Sequence, residues 1–302
     1  MSFFEVLISS VTLNATFRMA APLLLGIAGF CFSNKAGILN LALESFMTFS
    51  AFFALLGSWM FHNAGMGAVF GVLAGLVFSA LYGFFIFTLN GNGLITAVGF
   101  NLSAWGLTTM LAVAIFNTRS VTNIDAVAFQ GIALPLKDVS FWNAVLGNQT
   151  LLVWIAPILV LIAHFIMYRT KFGLRVRMVG LNPGAAGTAG VSVTKYNWIC
   201  MMISGIFMGL AGTFVSLNSL AMFTENMVAG RGFLVLASAM VANGNPLVAL
   251  LVATLFAYAQ ACGLTLTGLG IQGQLVEMLP YMTVLLVMLL ANLKNVKKAG
   301  EL

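Results

Sequence analysis

The polar side chains that could do chemistry are few, and they sit inside apolar runs. Asn40 and Glu44 are four residues apart, a spacing that on a helix puts both on one face. Asn101, Trp105, Asn243, Tyr258 and Gln260 lie in other apolar segments. An amide, phenol or carboxylate in hydrocarbon must face a partner or water, so this set can line a path for an uncharged polar solute. Trp105 and Tyr258 add ring faces on which a planar solute could stack. The alternative for each residue is a hydrogen bond between helices. Proton coupling would call for paired acids and bases at mid-depth, and Glu44 and Glu277 are the only acids expected inside spans.

Covalent chemistry finds no support. His62 and His164 stand alone, without an H-E-x-x-H pattern or a cysteine partner. Ser204-Gly205 is no nucleophile elbow. The chain has no G-x-x-x-x-G-K-[ST], and Gly268 to Gly273, a formal G-x-G-x-x-G, follows an apolar helix rather than a strand. Cys31, Cys200 and Cys262 lack ligand spacing and read as small apolar fillers. No metal or cofactor is expected.

The elements that position these groups are membrane helices. The chain of 302 residues is 61% hydrophobic and 7% charged, against about 25% charged in soluble domains. Such a chain cannot cover a surface that faces water. We expect a single transmembrane domain over 1–302, all-α and polytopic, embedded in a lipid bilayer. The formal charge of +6 does not point to nucleic acid, because the positives gather in one loop and in the tail (Lys294, Lys297, Lys298). The start MSFFE has no basic n-region, so no cleaved signal peptide is expected.

The loop 169–196 holds Arg169, Lys171, Arg175, Arg177 and Lys195 and no carboxylate, which places it inside the cell. Within it, Asn182-Pro183 before GAAGTAG reads as a short capped helix, fit to lie in another protein's groove. A span needs about 20 apolar residues. The candidates are 8–32, 37–61, 64–89, 93–116, 150–168, 197–221, 228–243, 246–268 and 275–293, for nine to ten spans in all. The segment 228–243 is short and carries Arg231, so it reads as broken or re-entrant. Counting from the basic loop puts 117–149 outside, Lys35 inside and the N-terminus outside. Arg18 interrupts the first candidate, which suggests a helix starting near Arg18 with residues 3–17 in the interface.

GILNLALE at 37–44 resembles GFLVLASA at 232–239, and by this count the two segments cross in opposite directions, as in an inverted-topology repeat. Gly67, Gly71 and Gly75 form one small-residue stripe and Gly205 and Gly209 another. Packing inside the subunit is favoured over a dimer seam.

Several blocks carry a family likeness. NKAGILNLALESFM at 34–47, TKFGLRVRMVGLNPGAAGTAGVSVTKYNWICMMISGIFMGLAG at 170–212, GRGFLVLASAMVANGNPLVALLVATLF at 230–256 and LPYMTVLLVMLL at 279–290 resemble, in order, the signatures of bacterial ABC-importer permeases for nucleosides and simple sugars. Ser45 stands where the family has Gly, Met208 where it has Ala, and Asn243-Gly244-Asn245-Pro246 replaces a Gly-rich turn. The resemblance implies a permease subunit in the bacterial cytoplasmic membrane, conducting nucleosides. Ribose- or galactose-type sugars and branched-chain amino acids are the alternatives, and an ion-coupled carrier is the rival class. The implied partners are a separate ABC ATPase, which would hydrolyse the ATP, a second homologous permease and an extracellular solute-binding lipoprotein. The implied coupling residues are Arg175, Arg177, Asn182, Pro183, Ala185, Ala186 and Gly190.

Overall fold

A computed structural model describes residues 9–122, 124–132, 144–145, 147–218, 221–267, 278–287 and 289. The helices are α1 Ser10–Lys35, α2 Leu43–Phe61, α3 Ala64–Gly83, α4 Gly93–Phe116, α5 Leu151–Arg169, α6 Lys171–Leu181, α7 Pro183–Thr188, α8 Val193–Leu217, α9 Arg231–Val241, α10 Pro246–Thr267 and α11 Met278–Val287. A π-helical turn, Phe84–Thr88, prolongs α3. The short strands β1 Gly131–Ile132 and β2 Gln149–Thr150 pair antiparallel. Seven of the described helices are long and apolar enough to cross a membrane, while α9 and α11 are shorter. The segment expected as a span at 228–243 is therefore helical over only eleven residues. The Lys-rich tail, Gln274, Glu277 and the Gly268–Gly273 turn lie outside the described residues.

Helix α1 is the centre of the bundle, with α8, α10, α5 and α9 packed around it. Every residue from Ala20 to Ser33 is buried. The helix does not begin near Arg18. It begins at Ser10, with the Ser9 hydroxyl accepting from the Thr12 amide at 3.2 Å, so residues 10–17 continue the span rather than lie apart from it.

The two glycine stripes meet inside the chain. A Cβ on Gly75 would stand 2.6 Å from the Gly205 carbonyl oxygen and 2.8 Å from the Gly209 Cα, and one on Gly71 would collide with Thr213. Backbones this close exchange dispersion contacts along their length, which is what holds helices together in lipid. In α4 the pattern reverses. Its buried positions are Ala97, Ala104, Thr108 and Ala112, while Ile95, Leu102 and Met110 are exposed.

The ends of the bundle are distinct. At one end α1 stops in a Schellman turn. Gly37 takes φ +84°, its amide bonds the Asn34 carbonyl at 3.0 Å, and the Ile38 amide bonds Ser33 at 2.9 Å. Gly180 packs on Lys35 and Gly37, and Gly244 lies against Asn34 and Lys35, so the basic loop and the α9–α10 turn share this end. At the opposite end, described parts of the 117–149 segment are tied down. The Val121 and Phe223 backbones bridge at 2.7 and 2.9 Å, Phe129 N–H bonds Leu217, and Ser58 bonds Val127. Asn14 donates there to Val145 at 3.0 Å.

Asn40 and Glu44 do not share a helical face. Residues 38–42 form no helix, because the Schellman turn at Gly37 ends α1 and leaves the chain non-helical until α2 begins at Leu43. The eight-residue match at 37–44 and 232–239 likewise joins an irregular segment to a helical one, so the two stretches are not local structural equivalents.

Candidate functional site

Two regions gather the polar groups, one at the basic end and one in the opposite half. At the basic end Asn182 caps α7, its side-chain oxygen accepting from the Ala185 amide at 3.0 Å, and Pro183 opens the first turn. The helix stops in a second Schellman turn. Gly190 takes φ +76° and bonds Gly187, while Val191 bonds the Ala186 carbonyl at 2.9 Å. Six residues would not hold a helix unaided, and here both ends are satisfied by the local sequence. Ala186 is buried and anchors one side. Ala185 is exposed, a Cβ added at Gly187 or Gly190 would meet nothing within 4 Å, and Leu181 is 88% exposed. The result is a rigid, knob-like projection with a smooth outer face.

Arg175 and Arg177 play different parts. Arg175 is exposed and donates to the Tyr196 hydroxyl at 3.0 Å. It lines a groove of about 550 Å³ with Lys171, Lys195 and Gly190. Arg177 turns inward, its guanidinium 5.0 Å above the Tyr168 ring, an arrangement that favours the cation. Of the pair, only Arg175 is fully presented to a partner.

The second region is built where two helices begin inside the bundle. Helix α9 spans about 16 Å at 1.5 Å per residue. Its far end, Ala242 to Gly244, lies at the basic end. Its start at Arg231 therefore lies inside the bundle, about half of a 30 Å hydrocarbon thickness from that end. A helix start at that depth exposes unpaired amides. Glu44, in the first turn of α2, satisfies two of them: Oε1 accepts from Gly230 at 2.9 Å and Oε2 from Gly232 at 2.7 Å. Gly232 permits the approach, since a Cβ there would meet the Glu44 backbone. Arg231 folds back, donating to the Met227 carbonyl at 2.9 Å.

Above this floor lie two adjoining cavities that share Met19, Arg231 and Leu264. One, of about 340 Å³, is lined by Arg18, Pro22 and Asn218. The other, of about 650 Å³, is lined by Glu225, Gln260, Thr267 and Tyr281. Both volumes fall within the roughly 300–1,000 Å³ of small-molecule sites. Pro22, on the wall of the smaller cavity, has no N–H to give the Arg18 carbonyl one turn back.

Of the seven residues expected along a path, Gln260 lines this vestibule. Glu44 caps its floor. Asn40 is fully buried, its side chain accepting from Ala42 at 3.0 Å and donating to the Met201 sulfur. Asn101 ties α4 to the start of α2, accepting from Ser45 at 3.0 Å and donating to Leu41. Trp105 lines a separate groove with Thr109, Arg119 and Glu225. Tyr258 faces an apolar crevice between α1, α5 and α10. Asn243 is an exposed helix terminator at φ +49°, a conformation Asn tolerates. Sequence reasoning missed Arg18, Glu225 and Tyr281. For Arg18 a signal existed: a charge retained within a span is a functional marker as well as an insertion cost.

A family model described as "Branched-chain amino acid transport system / permease component" matches residues 12–290. The guanosine ABC transporter permease protein NupQ of Bacillus subtilis is 31% identical over 264 residues, covering 85% of this chain and 82% of that protein. The nucleoside ABC transporter permease protein NupC of Lactococcus lactis is 28% identical, covering 83% and 80%. Among solved structures, a metal-chelate type ABC transporter in an inward-facing conformation aligns over 90% of this chain and 84% of its own, with a TM-score of 0.51 and 16% identity, which speaks to the fold alone. The chain belongs to the branched-chain amino acid transport system permease family, among the membrane subunits of ABC transporters.

Proposed function

We propose that this chain forms one half of a nucleoside-conducting pore in an ATP-driven importer of the bacterial cytoplasmic membrane. The observation that carries the mechanism is α7: a helix capped at both ends, anchored only through Ala186 and bare on its outer face. That form suits a coupling helix seated in a groove of a separate ABC ATPase. Arg175, Lys171 and Lys195 beside it suit an acidic rim. The choice of nucleosides rests on the names carried by the relatives from Bacillus and Lactococcus. A second homologous permease completes the pore, and an extracellular lipoprotein delivers the solute.

In this reading the basic end, with loop 169–196, is cytoplasmic and segment 117–149 is extracellular. Nine crossings follow if the descent through 221–230 into α9 counts as one and α11 as another. An inverted repeat is supported by geometry rather than by the short sequence match. Two chain segments enter from opposite ends without helix and begin α2 and α9 side by side at mid-depth, running opposite ways.

The test is uptake of radiolabelled guanosine into cells carrying the full complex. Uptake should stop on depletion of ATP or deletion of the ATPase and persist with an ionophore that collapses ion gradients. The reverse pattern would establish an ion-coupled carrier.

A further inference from the structure

Two polar atoms in the larger cavity lack a hydrogen-bond partner among the described residues: Arg231 Nε, a donor, and Gln260 Oε1, an acceptor. Both are shut off from solvent as atoms, while their side chains line the same space. A buried polar group left unmade is costly, so native structures retain few, and each asks for a reason. Attraction to Glu44 accounts for a cation at position 231 but not for an Nε–H without an acceptor. Arg231 stands at the N-terminus of α9, the end of a helix dipole that disfavours a cation. Its terminal nitrogen already serves the Met227 and Val228 carbonyls, so Nε is not needed to complete the turn. Gln260 lies seven residues from the far end of α10, where the nearby hydroxyls of Thr265 and Thr267 bond back to their own helix, whereas the Gln260 oxygen does not.

The surroundings are shaped to receive a ligand. The Tyr281 hydroxyl leans over Gly230, where a Cβ would come within 2.5 Å of it. Glu225 borders the cavity, and Asn218 borders its neighbour. Hydrogen bonds to two amides do not cancel the Glu44 charge, and the carboxylate and Arg231 attract each other across the floor.

We propose that this cavity is a solute-holding station inside the membrane domain, its wall rearranging around an uncharged solute so that Arg231 Nε–H, covered in this structure, gains an acceptor and Gln260 Oε1 gains a donor. It rests on the reading of the chain as a nucleoside permease and adds to it that the membrane subunit itself binds the solute. A nucleoside can supply both groups from its base edge or from its ribose hydroxyls.

The experiment uses the complete transporter in nanodiscs, with the binding lipoprotein left out, and measures equilibrium binding of tritiated guanosine. Wild type should bind saturably. Gln260→Met and Arg231→Lys should each weaken binding roughly tenfold, the effect of one lost hydrogen bond. Gln260→Met should leave the thermal midpoint of the empty complex unchanged or higher, because the oxygen it removes has no internal partner. Displacement by guanine or by ribose identifies which part of the nucleoside is held. Undiminished binding in both variants overturns the station, as does a fall in the midpoint of Gln260→Met with binding intact. If the wild-type complex transports ribose and not guanosine, the nucleoside reading fails, and the same variants measured with ribose decide the station. Saturable binding of neither solute by wild type also overturns it.

Discussion

Glu44 Oε2 stands 2.7 Å from the amide nitrogen of Gly232, so a side chain at the start of α2 caps the start of α9 across 188 residues of sequence. A carboxylate that accepts two backbone amides is a joint between elements, and this one ties two helix starts together inside the bundle. Glu44→Gln keeps one acceptor and turns an NH2 toward the second amide. It should lower stability by about 1.5–3 kcal/mol, the scale of a hydrogen bond to a charged group, seen as a lower thermal midpoint of the purified complex. An unchanged midpoint would show the cap to be dispensable.

Ala185 and Ala186 are neighbours with opposite fates. Ala186 is buried and Ala185 exposed. Ala185→Trp should preserve expression and midpoint while abolishing co-purification of the ATPase and uptake. Ala186→Trp should reduce the amount of folded permease. Asn182→Ala should cost about 1 kcal/mol of local helix stability, read as weaker ATPase retention. If Ala185→Trp still retains the ATPase, α7 is not the contact.

Glycines separate by what they touch. Gly75→Ala must push against Gly205 and Gly209 backbone, and should destabilise by about 1–3 kcal/mol. Gly99→Ala meets nothing within 4 Å and should be neutral, or stabilising by up to about 1 kcal/mol through helix propensity. Thermal midpoints should therefore fall for Gly75→Ala and hold or rise for Gly99→Ala.

Sidedness is open to labelling. Single cysteines at Gly187 and at Arg119 should react with a membrane-impermeant maleimide from opposite faces, Gly187 only in inverted vesicles and Arg119 only in intact cells. Reaction of both from one face would dismantle the topology.

The sequence is most legible where local chemistry decides structure. Asn182, Pro183 and the following glycines announce α7 through capping rules that need no tertiary context, and the glycine stripes announce close packing. Asn40 misleads because α2 starts only at Leu43, so the step from Asn40 to Glu44 is not a helical turn. Asn243 shows its structural part, ending a helix at φ +49°, only once the backbone is seen, because in an apolar run such an Asn looks like one that lines a path. The faces of α4 are illegible for a deeper reason. In water a polar stripe marks the outside, whereas here exposed Leu102 and Met110 and buried Ala104 and Ala112 differ only in bulk. Arg18, Arg231, Gln260 and Tyr281 converge from four helices, which no single window of sequence can display.

The meeting of Gly71 and Gly75 with Gly205 and Gly209 has a mechanical meaning. Helix α8 follows α7 after a turn of four residues, and the contact between α8 and α3 is made by backbone with only small side chains, Ser79 and Thr213, beside the glycines. In the coupling role proposed for α7, a thrust would pass through α8 into α3 and α2 and swing the three helices together.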